Sequence, residues 1–384
     1  MATRVNPKLI DELQAFGGED VSKCYQCGNC SATCSLSREP HIFPRPAMRA
    51  LQMGLEKKLE SSLDPWLCYY CGECTEECPR GADPGETMMS LRRWLTTRYD
   101  WTGVSRMFYR WGISEIIAVF VVGALTVLGF ALWGSARGDI NYYDGPNAFL
   151  PMEGIHIFDL GMLGVLAALL LSNCARMWWF TMGRDKSIHV PMSAYIRNAY
   201  QLPLHFLTQK RYADCEKKRP WAIHLVLMLS YVSMFVLIIV FLKLMQGGPA
   251  IDWRVHAFGY AATVGLIATS VYAIRGRIKK RETLYKHSHE TDWIFLILLV
   301  LVALSGIFQH ILHRAGLDVA ANVMYLAHLG VVLPMLSLEV SFSKWSHLAY
   351  RPLAIFFAAV RADAEAASVG ATKPVAAPQK IQPE

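Results

Sequence analysis

The sequence is short of charge. Asp, Glu, Lys and Arg make up 18% of its 384 residues, and 53% are hydrophobic; ordinary soluble domains carry about 25% charged residues. That balance argues against a wholly soluble chain, because a core of this size does not bury so much apolar material. A G-x-G-x-x-G fingerprint is absent, so no dinucleotide or flavin fold is expected. Nucleophile motifs are absent too. Residues 1–20 hold no apolar stretch and no cleavage pattern, so a cleaved secretory leader is not expected. The formal charge of +7 is gathered in particular loops, which reads as membrane orientation and not as nucleic-acid binding.

What is present starts with six apolar runs, at about 113–134, 156–180, 221–245, 254–275, 291–313 and 322–345. Each is near the ~20 residues that a bilayer core requires. Two connecting loops are basic: Arg184 to Arg219, and Arg275 to Glu290. The other loops carry little beyond Arg137, Arg254 and Arg314. The positive-inside rule then puts both basic loops and both termini on the cytoplasmic side of a multi-pass inner-membrane protein. Residues 1–85 read as a separate polar head, and 86–112, rich in Arg, Trp and Tyr, as an amphipathic linker helix at the membrane surface. Residues 113–350 form the membrane domain. From Arg361 the composition turns to Ala, Pro and Lys, so 361–384 is expected to be a disordered tail. The expected fold is all-α: a small helical head followed by a six-helix transmembrane bundle.

Eight of the ten cysteines fall in two runs. Cys24-Tyr-Gln-Cys27-Gly-Asn-Cys30-Ser-Ala-Thr-Cys34 and Cys68-Tyr-Tyr-Cys71-Gly-Glu-Cys74-Thr-Glu-Glu-Cys78-Pro79 share C-x2-C-x2-C-x3-C spacing. In this pattern three cysteines wrap one cuboidal 4Fe–4S cluster and the fourth reaches across to the other. One centre is therefore expected to take Cys24, Cys27, Cys30 and Cys78, and the other Cys68, Cys71, Cys74 and Cys34. Gly28 and Gly72 suit loops that turn their N–H groups toward sulfur. Zinc favours two separated C-x2-C pairs and fits less well. Ser35 stands where the second run has Pro79. Cys174 and Cys215 are isolated and read as structural or incidental thiols.

Several of the twelve histidines sit in the apolar runs, where a polar ring needs a reason. A b-type haem in a bundle needs two imidazoles from facing helices at one depth. His224 and His347 match in depth at the cytoplasmic end and are paired as ligands of an inner haem. His328 precedes His347 by about 28 Å of helix; its depth partner is His256, with His310 the alternative and His313 a further candidate. His156, His189, His205, His287 and His289 fall at loops or helix ends. Glu339 is a buried carboxylate in the sixth run and a candidate proton relay.

The two cysteine runs resemble the C-subunit type of heterodisulfide reductase, a two-cluster ferredoxin. The histidine-bearing domain is similar to haem b subunits of membrane heterodisulfide reductase and to the gamma subunit of respiratory nitrate reductase. The fusion of the two, over roughly residues 10–355, resembles the C-subunit of the quinone-interacting membrane-bound oxidoreductases (Qmo) of sulfate reducers. That resemblance implies two haems b, exchange of electrons with menaquinone, and delivery through the clusters to soluble flavin and iron–sulfur partner subunits that serve adenylylsulfate reductase. Equivalent roles in heterodisulfide, sulfite or fumarate reductase complexes, or that of a passive membrane anchor for a ferredoxin, are the alternatives. The gamma-subunit pattern has two histidines about ten residues apart on one helix; here Met234 stands ten residues after His224, so that helix does not supply the outer haem's second ligand.

Overall fold

The computed structural model describes residues 4–18, 20–136, 150, 152–184, 190–246 and 253–371. The fold is all-α, with no strand among the described residues. The head contributes α1 (Leu9–Gln14), α2 (Asn29–Ala32), α3 (Arg45–Gln52), α4 (Glu56–Glu60), α5 (Asp64–Leu67), α6 (Glu73–Glu76), α7 (Pro84–Tyr99) and α8 (Val104–Arg110). Prolines open α3, α5 and α7, where a missing N–H costs nothing. Their apolar faces converge on Leu13, Val21, Met48, Leu51, Trp66, Leu91 and Trp94.

The bundle follows as α9 (Gly112–Ala136), α10 (Met152–Trp178), α14 (Lys218–Gln246), α15 (Trp253–Lys279), α16 (Glu290–Arg314) and α17 (Asp318–Pro334). Short helices α11 (Met192–Asn198), α12 (Gln201–Thr208) and α13 (Lys210–Ala213) cross between α10 and α14. Beyond Pro334 the chain makes a π-helical turn, Met335–Glu339, then α18 (Val340–Phe342), and after Lys344–Ser346 the long α19 (His347–Ala371). Six helices are long and apolar enough to cross a membrane, the sixth counted from Asp318 to Phe342. Phe120 is 73% and Val264 66% exposed on their outward faces, which only lipid or a partner would tolerate as a continuous surface. Helices α9 and α17 touch backbone to backbone: a Cβ at Gly123 would lie 2.6 Å from the carbonyl oxygen of Gly330, the small-residue contact that membrane helices favour.

Two expectations change. Residues 86–112 are not one surface helix. The chain breaks between α7 and α8, where the Asp100 carboxylate accepts from the N–H groups of Thr102 and Ser105 and Gly103 takes φ 83°. Helix α7 lies inside the head because its cations are satisfied there. Arg92 donates to the carbonyls of Pro65 and Cys68, and Arg93 to Phe16 O and to Glu86 at 2.8 Å. Removing one partner of such a buried pair costs about 3–5 kcal/mol. Nor does a disordered tail begin at residue 361, since α19 continues to Ala371. It is held there by Arg361 on Thr181 O, by Asp363 on Arg197 and Asn198, and by buried Val360 and Ala364. Residues 372–384 lie outside the described residues.

The head, α19 and both basic loops meet at one end of the bundle. Trp66 packs on Tyr350 at 5.0 Å. Arg211 donates to Leu67 O and Leu36 O, Lys217 pairs with Glu76, and Lys286 with Asp83.

Candidate redox centres

The two cysteine loops have the same backbone. Gln26 and Tyr70 take φ 66° and 58°, and Gly28 and Gly72 take φ 89° and 94°. Two left-handed residues around each second cysteine curl the loop and turn N–H groups inward. The amide of Tyr70 points at Cys68 Sγ and that of Ala82 at Cys78 Sγ, both at 3.4 Å. Asn29 fastens the loops together by donating to Glu77 O at 2.6 Å.

The thiols fall into two crossed sets. Burial pushes Cys30 up to about 11, and Cys24, Cys78 and Cys27 add to the push. Burial pushes Cys34 up to about 12, with Cys68 and Cys71 as its neighbours. Cys74 is raised by burial and then by Cys68, Cys71 and Cys34. Iron must displace these protons, which makes ligation pH-dependent. Among the described residues, no three ligating side chains converge on a single-ion site. Four sulfurs on one zinc would lie about 3.8 Å apart, given bonds of about 2.3 Å.

Cys215 is not isolated. It is fully buried, and its thiol is hydrogen-bonded with that of Cys71. The amide of Glu216 donates to Glu73 at 3.0 Å and anchors the same contact. A lone cysteine 137 residues beyond the second run's last offers no spacing signal, so only folding reveals it.

At the head end of the bundle, His224 on α14 faces His347 at the start of α19, with ring centroids 5.9 Å apart. Two imidazoles on one metal stand roughly 6.4 Å apart, with bonds of about 2.0 Å on either side. His224 Nδ1 donates to Gln209 Oε1 at 2.8 Å, and His347 Nδ1 donates to the Lys344 carbonyl. Because both acceptors are carbonyl oxygens, the proton sits on Nδ1 and each Nε2 keeps its lone pair. That is the state outer contacts impose on metal-binding histidines. Burial, with Arg351 and His224 beside it, holds His347 well below the usual imidazole range and so neutral. Gln209 is buried in a left-handed conformation, φ 49°, a strained position for a residue that orients a ring.

A cavity of about 190 Å³ beside this pair reaches the second cysteine loop and is lined by Tyr69, Arg92, Arg277, Lys344 and Arg351. Between loop and histidines stands an aromatic bridge. Tyr69, next to Cys68, stacks on Tyr212 at 4.7 Å, and Tyr212 meets the edge of His224 at 6.0 Å.

Deeper in the bundle, a cavity of about 880 Å³ is lined by His256, His310, His328, Met234 and apolar side chains of α10, α14, α16 and α17. His328 Nδ1 donates to Ser305 Oγ at 2.8 Å, since that hydroxyl already gives its proton to Val302 O. Its Nε2 is left bare, like those of the inner pair. Gly306 makes room for the ring: a Cβ there would lie 3.1 Å from His328 Cε1. His256 and His310 are 5.3 Å apart, and His310 Nε2 is engaged by the Tyr260 hydroxyl at 2.7 Å. These donor sets suit haem iron at both depths. His313 faces Asp318 at 3.7 Å, and His287 and His289 bond to Asp83 and to Tyr109 O.

Glu339 is fully buried in the π-helical turn and accepts the Lys344 amide at 3.2 Å. Its neighbour is Glu115 of α9, also fully buried, which the sequence offers only as an ordinary first-turn acid.

Comparison with known proteins bears on the head. The 4Fe-4S dicluster domain family matches residues 20–82. The iron-sulfur C-subunit of the CoB–CoM heterodisulfide reductase of Methanopyrus kandleri is 38% identical over 85 residues, 20% of this chain and 44% of the relative. The corresponding C-type iron-sulfur subunit, numbered 2, of Methanocaldococcus jannaschii is 35% identical over 96 residues, 23% of this chain and 51% of the relative. The C-subunit of the H(2):CoB-CoM heterodisulfide,ferredoxin reductase of Methanothermobacter marburgensis is 30% identical over 76 residues, 20% of this chain and 41% of the relative. The chain thus spans about half the length of the curated relatives it matches. No solved structure matches it. The segment that holds both cysteine runs, residues 20–82, therefore carries a 4Fe–4S dicluster domain.

Proposed function

We propose that this chain is the membrane electron-transfer subunit of a quinone-linked oxidoreductase complex, relaying electrons between menaquinone in the bilayer and soluble flavin and iron–sulfur partner subunits. The observation that carries the reading is the unbroken succession from cysteine loop to aromatic bridge to histidine pair. Cys24, Cys27, Cys30 and Cys78 hold one cluster, and Cys68, Cys71, Cys74 and Cys34 the other. His224 and His347 hold an inner haem b. His328 and His256 hold an outer one, because α16 and α17 pack so closely at Gly306 and His328 that little room is left for a porphyrin between His310 and His328. Bound clusters and haems supply one-electron carriers. The chain's own part is to fix their ligands, exclude water and line up the route. Arg92 joins the head to this route, since it donates to Cys68 O and lines the inner cavity. The basic loops and the head lie on the cytoplasmic side, in keeping with the charge pattern. The fused architecture favours a Qmo-type complex of sulfate respiration; the relatives' names favour a heterodisulfide-linked partner instead, and pull-down of the native complex decides between them.

The test of the central reading is the reduced-minus-oxidised optical spectrum of the purified chain. A b-type α-band is expected. His224→Ala and His347→Ala should each remove the same component, and His328→Ala and His256→Ala the other, while His310→Ala leaves both. An absent band, or a spectrum unchanged in both His224→Ala and His347→Ala, would reject the relay.

A further inference from the structure

Glu115 and Glu339 come from helices far apart in the chain, and their carboxyl groups lie within hydrogen-bonding reach of each other. Neither side chain has any exposed surface. Besides this contact, the side-chain donor that reaches both carboxyl groups is the Ser343 hydroxyl. Two ionised carboxylates are acceptors only and repel. A stable contact between them needs a proton in it, as in any pair of carboxyl groups forced together out of water.

The surroundings support one proton and not two. Tyr109 of α8 and Ser343 face the pair, and Asp292 of α16 lies near Glu115. Arg93 of α7 and Lys344 are the nearby cations, but Arg93 is bound to Glu86 and Asp292, and Lys344 to Asp292. Arg277 of α15 also reaches toward Asp292. His289 is neutral: it donates from Nε2 to Tyr109 O and accepts at Nδ1. Three cations thus face two acids, Glu86 and Asp292, and the one positive charge left over matches a singly charged pair and not a doubly charged one.

One residue links this pair to the inner histidines. The Lys344 amide donates to Glu339 Oε2, and the Lys344 carbonyl accepts from His347 Nδ1. We propose that Glu115 and Glu339 share one proton and bind a second when an electron arrives at the His224–His347 site, forming a redox-linked proton site opening toward the head. The balance is one electron in and one proton in. The electron comes from quinol or from the partner subunits, and the proton from water on the head side closes the last carboxylate oxygen as O–H. The pair's position three residues inside the head end of α9 gives that proton a short route. Linkage makes the effect reciprocal: whatever the electron adds to proton affinity, the proton adds to electron affinity.

This inference rests on the inner haem of the proposed function, and its test separates the two. Infrared spectra of the full chain at neutral pH should contain a protonated-carboxyl band that Glu115→Gln and Glu339→Gln each remove. Redox titration of the inner haem should show electron affinity falling tenfold per pH unit, 59 mV for a one-electron couple, with the slope flattened in both variants. Glu→Gln keeps size and shape, and an unaltered α-band certifies the fold. A wild type without the band, or a slope that survives in both variants, overturns the proposal. A chain with the band but without haem b also overturns it, and then the fault lies with the haem reading.

Discussion

Head and bundle place their cofactor ligands by opposite means. In the head, three of each four cysteines lie within seven consecutive residues, and two left-handed residues curl each loop around its centre. In the bundle, His224 and His347 arrive on separate helices; His224 is aimed by Gln209 from a different helix-flanking turn, and His347 by the Lys344 carbonyl of the turn that carries Glu339's amide donor. A local motif carries its geometry with it. A packed site borrows geometry from everything around it. The head should therefore lose its centres through its ligands alone, and the bundle through residues that touch no metal.

The largest effect expected is in the head, and it tests the crossing. Cys34 lies in the first run, but its neighbours are Cys68 and Cys71. Cys34→Ala should abolish the same paramagnetic signal as Cys68→Ala, and Cys78→Ala the same one as Cys24→Ala. Iron content should drop from about eight to about four per chain, four irons belonging to each cluster. If Cys34→Ala matched Cys24→Ala instead, each run would hold its own cluster and the crossed assignment would fall.

The same contrast explains what could be read from the sequence. The dicluster segment, the six spans and the facing of His224 and His347 follow from spacing, hydropathy and depth along a helix, all properties of short segments. Helix α7 did not, because Arg92 and Arg93 look like interface anchors until the carbonyls of Pro65, Cys68 and Phe16 surround them. The helix through residue 371 was hidden by an Ala-rich composition whose packing partners, Thr181 and Arg197, lie far upstream. Gln209, Cys215 and Glu115 gave no local signal. A glutamine between two short helices, a solitary thiol and a first-turn acid acquire meaning only from His224, Cys71 and Glu339.

An intermediate effect belongs to the junction. Tyr69 and Tyr212 are the rings between the second cysteine loop and His224. Tyr212→Leu should slow electron exchange between haem and clusters several-fold in flash or stopped-flow measurements, with both spectra intact. Tyr212→Phe keeps the stack and should keep the rate. Equal rates in all three proteins would mean that the rings only dock the head, and the junction would then behave like any packed surface.

The smallest effect concerns how firmly a bundle loop grips the head. Asp83, at the start of α7, receives His287 at 2.6 Å and Lys286 at 2.9 Å from the loop between α15 and α16. Burial raises the Asp83 carboxyl, but His287 and Lys286 outweigh it and hold the group down to about 2. The same carboxylate raises His287 above the ordinary imidazole value, against burial. The two signs bound a pH window. The Asp83 contribution is full above the ordinary carboxylate value near 3.8 and fades as pH falls toward about 2. The His287 contribution is full below its ordinary 6.5 and fades as pH rises through the higher folded value. Amide-exchange protection of residues 283–290, corrected for intrinsic rates, should therefore peak between these limits. Lys286 is more than half exposed, so each contact is worth about 0.2–1 kcal/mol, a change of up to about fivefold in protection. His287→Gln should remove only the alkaline decline, and Asp83→Asn should remove both. A profile that Asp83→Asn leaves unchanged would mean that Thr283 on Glu76 holds the loop by itself, and the acid decline would then belong to the Glu76 carboxyl, which Lys217 and Thr283 hold below its ordinary value.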